Sequence, residues 1–362
     1  MFLIIKRRDR GMRKRTLTVT AIVIMLLSGL LSGCNKEASK DTLTVFNYGM
    51  YIDEEVLENF QEETGIEVKY EEAPTPEEMY TKYKSGAIKY DVLCTSEYML
   101  QRLINEGELK EVDFSTMENT KNIGQEYWDF VKPFDPENKY VLPYFWGTLG
   151  LLYDSTRVKG DINSWDVLFN GEYAGDFIMP NSMRDAYAVA LKYLGYSINT
   201  TDEGELKEAQ ELLLKQKPDV AAYLVDEAKD EVVAGNAVMA VVYSGESLEA
   251  YLENPDLSYC IPEEGSNLWI DCWGITKECA NEENARKFLD YICREDAAWA
   301  NYEYIRYSSP FKSVIANMTE EEKGLDAVNP PKEKLDSCEV FIQLPTETTD
   351  YMSGLWKELK AE

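Results

Sequence analysis

A pattern of two tryptophans around an aspartate, near residue 270, combines aromatic rings with a carboxylate on one predicted strand. Trp269, Asp271 and Trp273 alternate within the apolar run 267–275, and alternate residues of a strand point to the same face. Aspartate is disfavoured inside strands, so its presence here calls for a physical reason. Asp271 is either an exposed carboxylate on an edge strand or a binding group set between aromatic faces.

Hydroxyl, aromatic and carboxylate side chains also follow other predicted strands. The candidates at these strand ends are Tyr48, Tyr51, Ser96, Tyr98 and Tyr243. Each tyrosine taken singly is also explained by core or rim packing. A further carboxylate, Asp185, begins a predicted helix. Because Ser182 to Asp185 is arranged like a capping box, Asp185 is either a ligand-binding group or a residue that satisfies the helix start.

Taken together, these side chains indicate a site for an organic cation. Ammonium groups donate hydrogen bonds and accept none, so carboxylates and hydroxyls are suitable partners. Aromatic faces attract the positive charge and cover the methylenes between charges. A neutral sugar also stacks on aromatic rings, and a glycosidase uses a pair of carboxylates. A secreted glycosidase is therefore the competing interpretation.

The composition excludes several other classes of function. The chain has 362 residues, no histidine and a net charge of −29. The absence of histidine excludes Ser-His-Asp and Cys-His nucleophilic sites and histidine metal sites. The acidic balance argues against nucleic acid as a partner, because lysine and arginine supply affinity for phosphates. With 44% hydrophobic residues the chain can build a core, and its length suggests about two domains.

From Thr42 onward the pattern alternates between strands and helices. Asp53 is expected to cap a helix that stops at Gly65, and Thr75 begins a capping box with proline at the first helical position. Strand-helix-strand spacing predicts an α/β domain with a mainly parallel sheet, and a second α/β stretch runs from about Tyr153 to Gly265. Ligands of such folds bind outside the carboxyl ends of strands and between domains, where the candidate residues lie.

The N-terminus has the features of an export signal. A basic head is followed by an apolar run from Leu17 to Leu31 and by small residues before Cys34, which predicts a secretory signal over 1–33. The sequence Leu-Ser-Gly-Cys resembles the bacterial lipobox, so Cys34 is expected to carry the lipid anchor, with 34–41 as a polar tether. The other cysteines form no CxxC pair, and their pairing stays open.

Short motifs in a fixed order resemble those of bacterial polyamine-binding lipoproteins, the spermidine/putrescine-binding components of ABC transporters. The resemblance covers nearly the whole chain after the predicted signal. The motifs are Val45–Ile52, Glu63–Val68, Tyr90–Val92, Ser96–Tyr98, Lys132–Pro136, Tyr140–Thr148, Leu194–Ser197, Tyr243–Glu246, Glu264–Asp271 and Tyr307–Pro310.

The resemblance implies a two-lobed periplasmic-binding-protein fold of type II, with the ligand cleft between the lobes. We expect lobe 1 to comprise 42–149 plus 270–310 and lobe 2 to comprise 150–269 plus 311–362. The implied function is capture of a polyamine and its delivery to separate permease and ATPase chains of an ABC importer, at the outer face of the membrane or in the periplasm. Neither enzyme activity nor any cofactor or metal is implied.

The resemblance also assigns roles to individual positions. Ser96 is a polar contact, and Asp185 and Asp271 are the carboxylates that pair with ammonium groups. The implied aromatic walls are Tyr48, Tyr51, Tyr98, Tyr243, Trp269 and Tyr307.

Some positions depart from the family pattern. Met50 and Ser182 stand where relatives carry acidic residues, so these two residues and the adjacent Gly49 are secondary candidates. Fewer carboxylates compensate a trication less well, so we expect a diamine to bind at least as tightly as spermidine. A C-terminal polar contact falls near 341–343 without an assignment. Another organic cation as cargo is the first alternative, ahead of an enzyme, an adhesin or a scaffold.

Overall fold

The computed structural model describes residues 42–160, 162–225 and 227–361. The predicted signal segment 1–33, the lipidation site Cys34 and the tether 34–41 lie outside the described residues. Within the described ranges, every helix is too short or too polar to cross a bilayer.

Strands and helices alternate along the described chain. The strands are β1 Thr42–Tyr48, β2 Glu67–Ala73, β3 Val92–Ser96, β4 Val141–Asp154, β5 Phe177–Pro180, β6 Ala222–Leu224, β7 Met239–Tyr243, β8 Leu257–Cys260 and β9 Leu268–Ile275. The α-helices are α1 Glu54–Thr64, α2 Pro76–Ser85, α3 Glu97–Asn105, α4 Gln125–Phe130, α5 Met183–Tyr193, α6 Glu203–Gln216, α7 Ala228–Val233, α8 Ser244–Glu253, α9 Glu282–Ile292, α10 Glu295–Ile305, α11 Lys312–Asn317, α12 Glu320–Lys323, α13 Lys332–Leu335 and α14 Thr346–Ala361.

The first helices begin and end where local sequence chemistry predicts. The Asp53 side chain accepts a hydrogen bond from the Glu55 backbone N–H, and α1 ends at Gly65 with a φ of 70°. The Thr75 side chain accepts from the backbone N–H of Glu78. These contacts satisfy backbone donors that a helix start leaves unpaired. They confirm Asp53 and Thr75 as caps, whereas the return hydrogen bond to the Glu78 side chain that would complete the predicted capping box is not formed.

The described strands form a nine-stranded mixed sheet in the order β2-β1-β3-β9-β4-β7-β5-β6, with β8 also paired to β4. Strands β2, β1 and β3 are parallel to one another, and so are β6, β5 and β7. Strands β4 and β9 run antiparallel to their neighbours. The predicted mainly parallel sheet is therefore wrong for the centre, where β4 and β9 reverse direction and join the two parallel halves.

The two largest of the four hydrophobic clusters among the described residues mark two lobes, and we refer to them as the first and the second core. The first core surrounds β1, β3 and β9 and includes Phe46, Trp146 and Trp273. The second core lies against β4, β5 and β7 and includes Leu149 and Trp165. Because consecutive parts of β4 contribute to different cores, this strand, which sequence periodicity did not reveal, is shared by both lobes.

The packing differs from the predicted lobe boundary at residue 310. Phe311, Val314 and Val328 belong to the first core, and the Ser308 hydroxyl donates to the Val328 carbonyl at 3.0 Å. Segment 311–328 therefore packs with lobe 1, because its apolar side chains are buried there, whereas the sequence placed it in lobe 2. The chain enters the second core near Leu344.

Three segments cross between the lobes side by side, and we refer to 146–149, 265–268 and 337–343 as the crossing segments. The Leu149 N–H donates to the Asn267 carbonyl at 3.0 Å, and the Leu268 N–H donates to the Glu339 carbonyl at 2.9 Å. The carbonyl of Leu149 accepts from the Ser266 hydroxyl at 2.6 Å. The lobes are thus joined by three hydrogen-bonded chain segments, which is a connection suited to hinge closure.

Cysteines of the described residues are unpaired and serve as core residues. All are free thiols, and all except the half-buried Cys338 are buried: Cys94, Cys260, Cys272, Cys279, Cys293 and Cys338. Burial raises the pKa of these thiols, to about 12 for Cys260 and for Cys279, which keeps them protonated and unreactive.

Candidate functional site

A cleft of about 1200 Å³ lies at the carboxyl ends of β1, β3, β7 and the start of β9. It brings together most of the residues that the sequence proposed. Those lining it are Tyr48, Tyr51, Ser96, Tyr98, Ser182, Asp185, Tyr243, Trp269, Asp271 and Tyr307. Gly49 and Met50 are not among the lining residues, and Met50 is 78% exposed. The third residue of the tryptophan pattern, Trp273, is fully buried in the first core.

On the lobe 1 side, Asp271 is held by Tyr51. The strand that carries Asp271, β9, lies between β3 and β4, which excludes the edge-strand explanation of this carboxylate. The Tyr51 hydroxyl donates to Asp271 Oδ2 at 2.7 Å. Burial raises the pKa of Asp271 to about 6, and the Tyr51 hydrogen bond opposes this rise. The carboxylate is therefore ionised at neutral pH but incompletely compensated.

On the lobe 2 side, Asp185 is held in the same way by Tyr243. The Tyr243 hydroxyl donates to Asp185 Oδ2 at 2.7 Å, while Ser182 at the helix N-cap forms no side-chain hydrogen bond to the backbone of α5. The capping interpretation of Asp185 is thus not supported. Burial raises the pKa of Asp185, and hydrogen bonds from Ser182 and Tyr243 and the charge of Arg184 lower it.

Both tyrosines stay neutral donors, because burial raises the pKa of Tyr51 and of Tyr243 well above the ordinary value. Each phenol occupies one lone pair of its carboxylate and fixes the orientation of the group. A carboxylate offers about four acceptor positions, so the remaining positions are available to a donor in the cleft. The cleft therefore presents one oriented carboxylate from each lobe.

Aromatic rings connect the two carboxylates in an unbroken series. Ring centroids are 5.6 Å apart for Tyr48 and Tyr51, 6.3 Å for Tyr51 and Tyr307, 5.0 Å for Tyr307 and Trp269, and 6.3 Å for Trp269 and Tyr243. The contacts are edge-to-face, an arrangement that stabilises aromatic pairs. This series, which we call the aromatic wall, runs from Tyr48 to Tyr243 across both lobes.

Two glycines permit the close packing of the aromatic wall. A Cβ at Gly245, in the first turn of α8, would overlap the ring of Tyr307, and a Cβ at Gly147 would overlap the ring of Trp269. Both rings therefore pack directly against the backbone of these glycines, with no side chain in between, and this contact fixes the position of each ring. The sequence motifs contained these glycines, but only the tertiary contacts show what they accommodate.

Glu97 is a cleft residue that the sequence did not assign, although it lies inside the motif Ser96–Tyr98. It is the first residue of α3, is 2% exposed and lines the cleft. Burial first and the charge of Asp271 second raise its pKa to about 8. The signal that pointed to it was its position between two proposed contacts.

Arg184 and the third crossing segment line a further part of the cleft. The Arg184 guanidinium lies 4.2 Å from the Phe341 ring centroid and donates to the Ile342 carbonyl at 3.3 Å. Burial lowers the pKa of Arg184 to about 10, which leaves it positively charged, while Glu97 and Asp185 raise it. The Gln343 N–H donates to the side chain of Gln101 in α3 at 2.6 Å, so this segment touches both lobes. The segment expected near 341–343 therefore does line the cleft.

Comparisons with known proteins agree with this architecture. The spermidine/putrescine ABC transporter substrate-binding protein PotD from Streptococcus pneumoniae has a similar structure, with a TM-score of 0.82 and 36% identity over 89% of this chain and 99% of that chain. A putative spermidine/putrescine ABC transporter protein from Listeria monocytogenes has a TM-score of 0.77 and 34% identity over 88% of this chain and 99% of its own.

Sequence relatives lead to the same family. The spermidine/putrescine-binding periplasmic protein of Salmonella typhimurium is 34% identical over 277 residues, which are 75% of this chain and 78% of that protein. The putrescine-binding periplasmic protein SpuD of Pseudomonas aeruginosa is 28% identical over 94% of this chain and 97% of its own. The family profile described as bacterial extracellular solute-binding protein matches residues 55–325. The chain therefore belongs to the family of bacterial extracellular solute-binding proteins.

Proposed function

We propose that the chain captures putrescine or spermidine in its cleft and delivers the polyamine to an ABC importer. The observation that carries the proposal is the pair of tyrosine-held carboxylates, one in each lobe, joined by the aromatic wall. Relatives that cover most of this chain are named for spermidine and putrescine. Because solute-binding proteins of ABC transporters are not enzymes, the cleft binds its ligand without chemistry, and the glycosidase interpretation is set aside.

The recognition follows from the chemistry of an extended diamine. One ammonium group donates to Asp271 and the other to Asp185, as charge-assisted hydrogen bonds. The methylenes between them lie on the aromatic wall, where each cation–π contact contributes roughly 0.5–2 kcal/mol. Since the carboxylates belong to different lobes, a ligand that spans both stabilises the closed arrangement of the lobes about the crossing segments.

We further propose that a diamine binds at least as tightly as spermidine. Met50, where relatives carry an acidic residue, is exposed and outside the cleft lining, and Ser182 brings a hydroxyl rather than a carboxylate. A third ammonium group therefore finds no additional carboxylate at either position. A clear preference for spermidine over putrescine in a competition titration would overturn this proposal.

Delivery requires partners and a location outside the cytoplasm. We propose that separate permease and ATPase chains receive the ligand and that acyl chains at Cys34 anchor the protein to the membrane. The lipobox-like sequence before Cys34 supports the anchor, and membrane fractionation of Cys34→Ala tests it. A variant that stays in the membrane fraction to the same extent as the wild type would contradict a lipid anchor at Cys34.

The experiment for the function itself is a calorimetric titration of the protein with putrescine, spermidine and 1,4-butanediol. The diol has the length of putrescine but no charge, so it separates recognition of the ammonium groups from burial of the methylenes. We expect micromolar or tighter binding of at least one amine and no measurable binding of the diol. No heat with either amine, or equal affinity for the diol, would refute a polyamine site.

A further inference from the structure

Glu97 is a buried carboxylate next to the proposed ammonium position of Asp271. Residue Ser96, which precedes it, pairs with Asp271 across β3 and β9. Glu97 Oε2 accepts a hydrogen bond of 3.4 Å from the Ile270 backbone N–H, the residue before Asp271. The two carboxyl groups thus occupy one corner of the cleft in lobe 1, and both are largely removed from water. When two carboxyl groups are buried side by side, the negative charge on one makes ionisation of the other less favourable.

The groups that face Glu97 come from three elements. On β9 lie the carboxylate of Asp271 and the thiol of Cys272, and on α3 itself lies the phenol of Tyr98. Arg184 on α5 is the cation whose charge favours the ionised form of Glu97. The guanidinium does not compensate Glu97 fully, because burial and Asp271 together keep the pKa of Glu97 at about 8. Around neutral pH the unliganded protein therefore holds a proton on Glu97.

We propose that the Glu97 carboxyl, buried beside Asp271 in the cleft, is the proton-releasing group of the amine site, which holds a proton in the unliganded protein and releases it when an ammonium group binds at Asp271. The inference rests on the proposed polyamine function and adds the regulation of that site. An ammonium group at Asp271 places a positive charge beside Glu97 and offsets the repulsion between the two carboxylates. The O–H bond of Glu97 breaks, the electron pair stays on the carboxylate, and the proton passes to the solvent buffer.

The consequence is an affinity that rises with pH. Binding releases a proton at any pH between the pKa of Glu97 in the complex and its pKa in the free protein. Within that range a rise in pH therefore favours the complex. Binding therefore strengthens as pH rises from 6.5 towards 8, by at most about tenfold per pH unit for one proton. Asp271, with a pKa of about 6, adds a separate loss of binding at lower pH. Amine ligands stay charged throughout, since alkyl ammonium groups titrate near 10.

The test is a titration of the full chain with putrescine at pH 7.5 in phosphate and in Tris, two buffers with different ionisation enthalpies. The difference in heat counts the protons released, and we expect roughly three quarters of a proton per ligand from a group with a pKa of about 8. Glu97→Gln keeps the shape without a titrating proton, so its proton count should fall close to zero. Its affinity should lie within about threefold of that of the wild type at pH 6.5 and be about tenfold or more weaker at pH 8.5.

The control variant is Glu320→Gln, which removes one carboxylate from a side chain that is 92% exposed and is not among the residues lining the cleft. Its proton count should match that of the wild type. Binding by the wild type without proton release, or an unchanged count in Glu97→Gln, would overturn the role of Glu97 and leave the polyamine site standing. No binding of any amine by the wild type would refute the proposed function and this inference together. If Glu97→Gln does not fold, the number of protons that the wild type releases on binding still tests the proposal.

Discussion

Replacement of Asp271 by asparagine is the sharpest test of how the cleft recognises charge. Asparagine has nearly the same size and shape as aspartate, and its side-chain carbonyl can still accept the hydrogen bond that Tyr51 donates at 2.7 Å. The variant therefore removes the negative charge and keeps the packing of the aromatic wall. A matched control is Glu320→Gln, because the Glu320 side chain is 92% exposed on α12 and is not among the cleft-lining residues.

The magnitude follows from the bond that is lost. A hydrogen bond to a charged group contributes about 1.5–3 kcal/mol, and each 1.4 kcal/mol corresponds to about tenfold in affinity. We expect the Kd for putrescine to rise between about tenfold and 150-fold in Asp271→Asn. Asp271→Ala should in addition lower the stability of the fold, since it leaves the Tyr51 hydroxyl without its acceptor, at a cost of about 1–3 kcal/mol in the free energy of unfolding.

Isothermal titration calorimetry at pH 7.5 measures both variants and the control. Combining Asp271→Asn with Tyr51→Phe in a double-mutant cycle gives the coupling between the two side chains. We expect the Tyr51→Phe substitution to cost less in the asparagine background, because the phenol then no longer orients a charge. A change below about threefold for Asp271→Asn, or an equal loss in Glu320→Gln, would refute the pairing of an ammonium group with Asp271.

Two further predictions concern stability and packing. Because the folded-state pKa of Asp271, about 6, lies above its ordinary value of 3.8, the fold loses stability as pH rises through this interval. Asp271→Asn should therefore unfold at a higher temperature than the unliganded wild type at pH 7.5 and lose that advantage near pH 4. Gly245→Ala displaces the Tyr307 ring from Trp269 and should weaken putrescine binding by about tenfold. Thermal melts and calorimetry check these outcomes, and an unchanged melting temperature or Kd would contradict the corresponding argument.

Local sequence patterns predicted much of the site. One cleft is lined by Trp269 and Asp271 of the alternating pattern, by the hydroxyl of Ser96 and by the tyrosines at or just after the ends of β1 and β7. They meet because β3 of lobe 1 and β7 of lobe 2 both end beside the middle of β4, where β9 begins, and ligands of such folds bind outside the carboxyl ends of strands. The caps at Asp53 and Thr75 were equally accessible, since capping involves residues only a few positions apart.

The sequence by itself therefore determined the α/β class, the limits of the first helices and the chemistry of the candidate cleft. Tertiary structure alone decided the central reversal of β4 and β9, the position of 311–328 in the first core, and the burial of Glu97. The reason is the range of the interactions involved. The partner of Glu97 at Ile270 is 173 residues away in the chain, and a buried charge acquires its pKa from such distant neighbours, which periodicity and capping rules do not report.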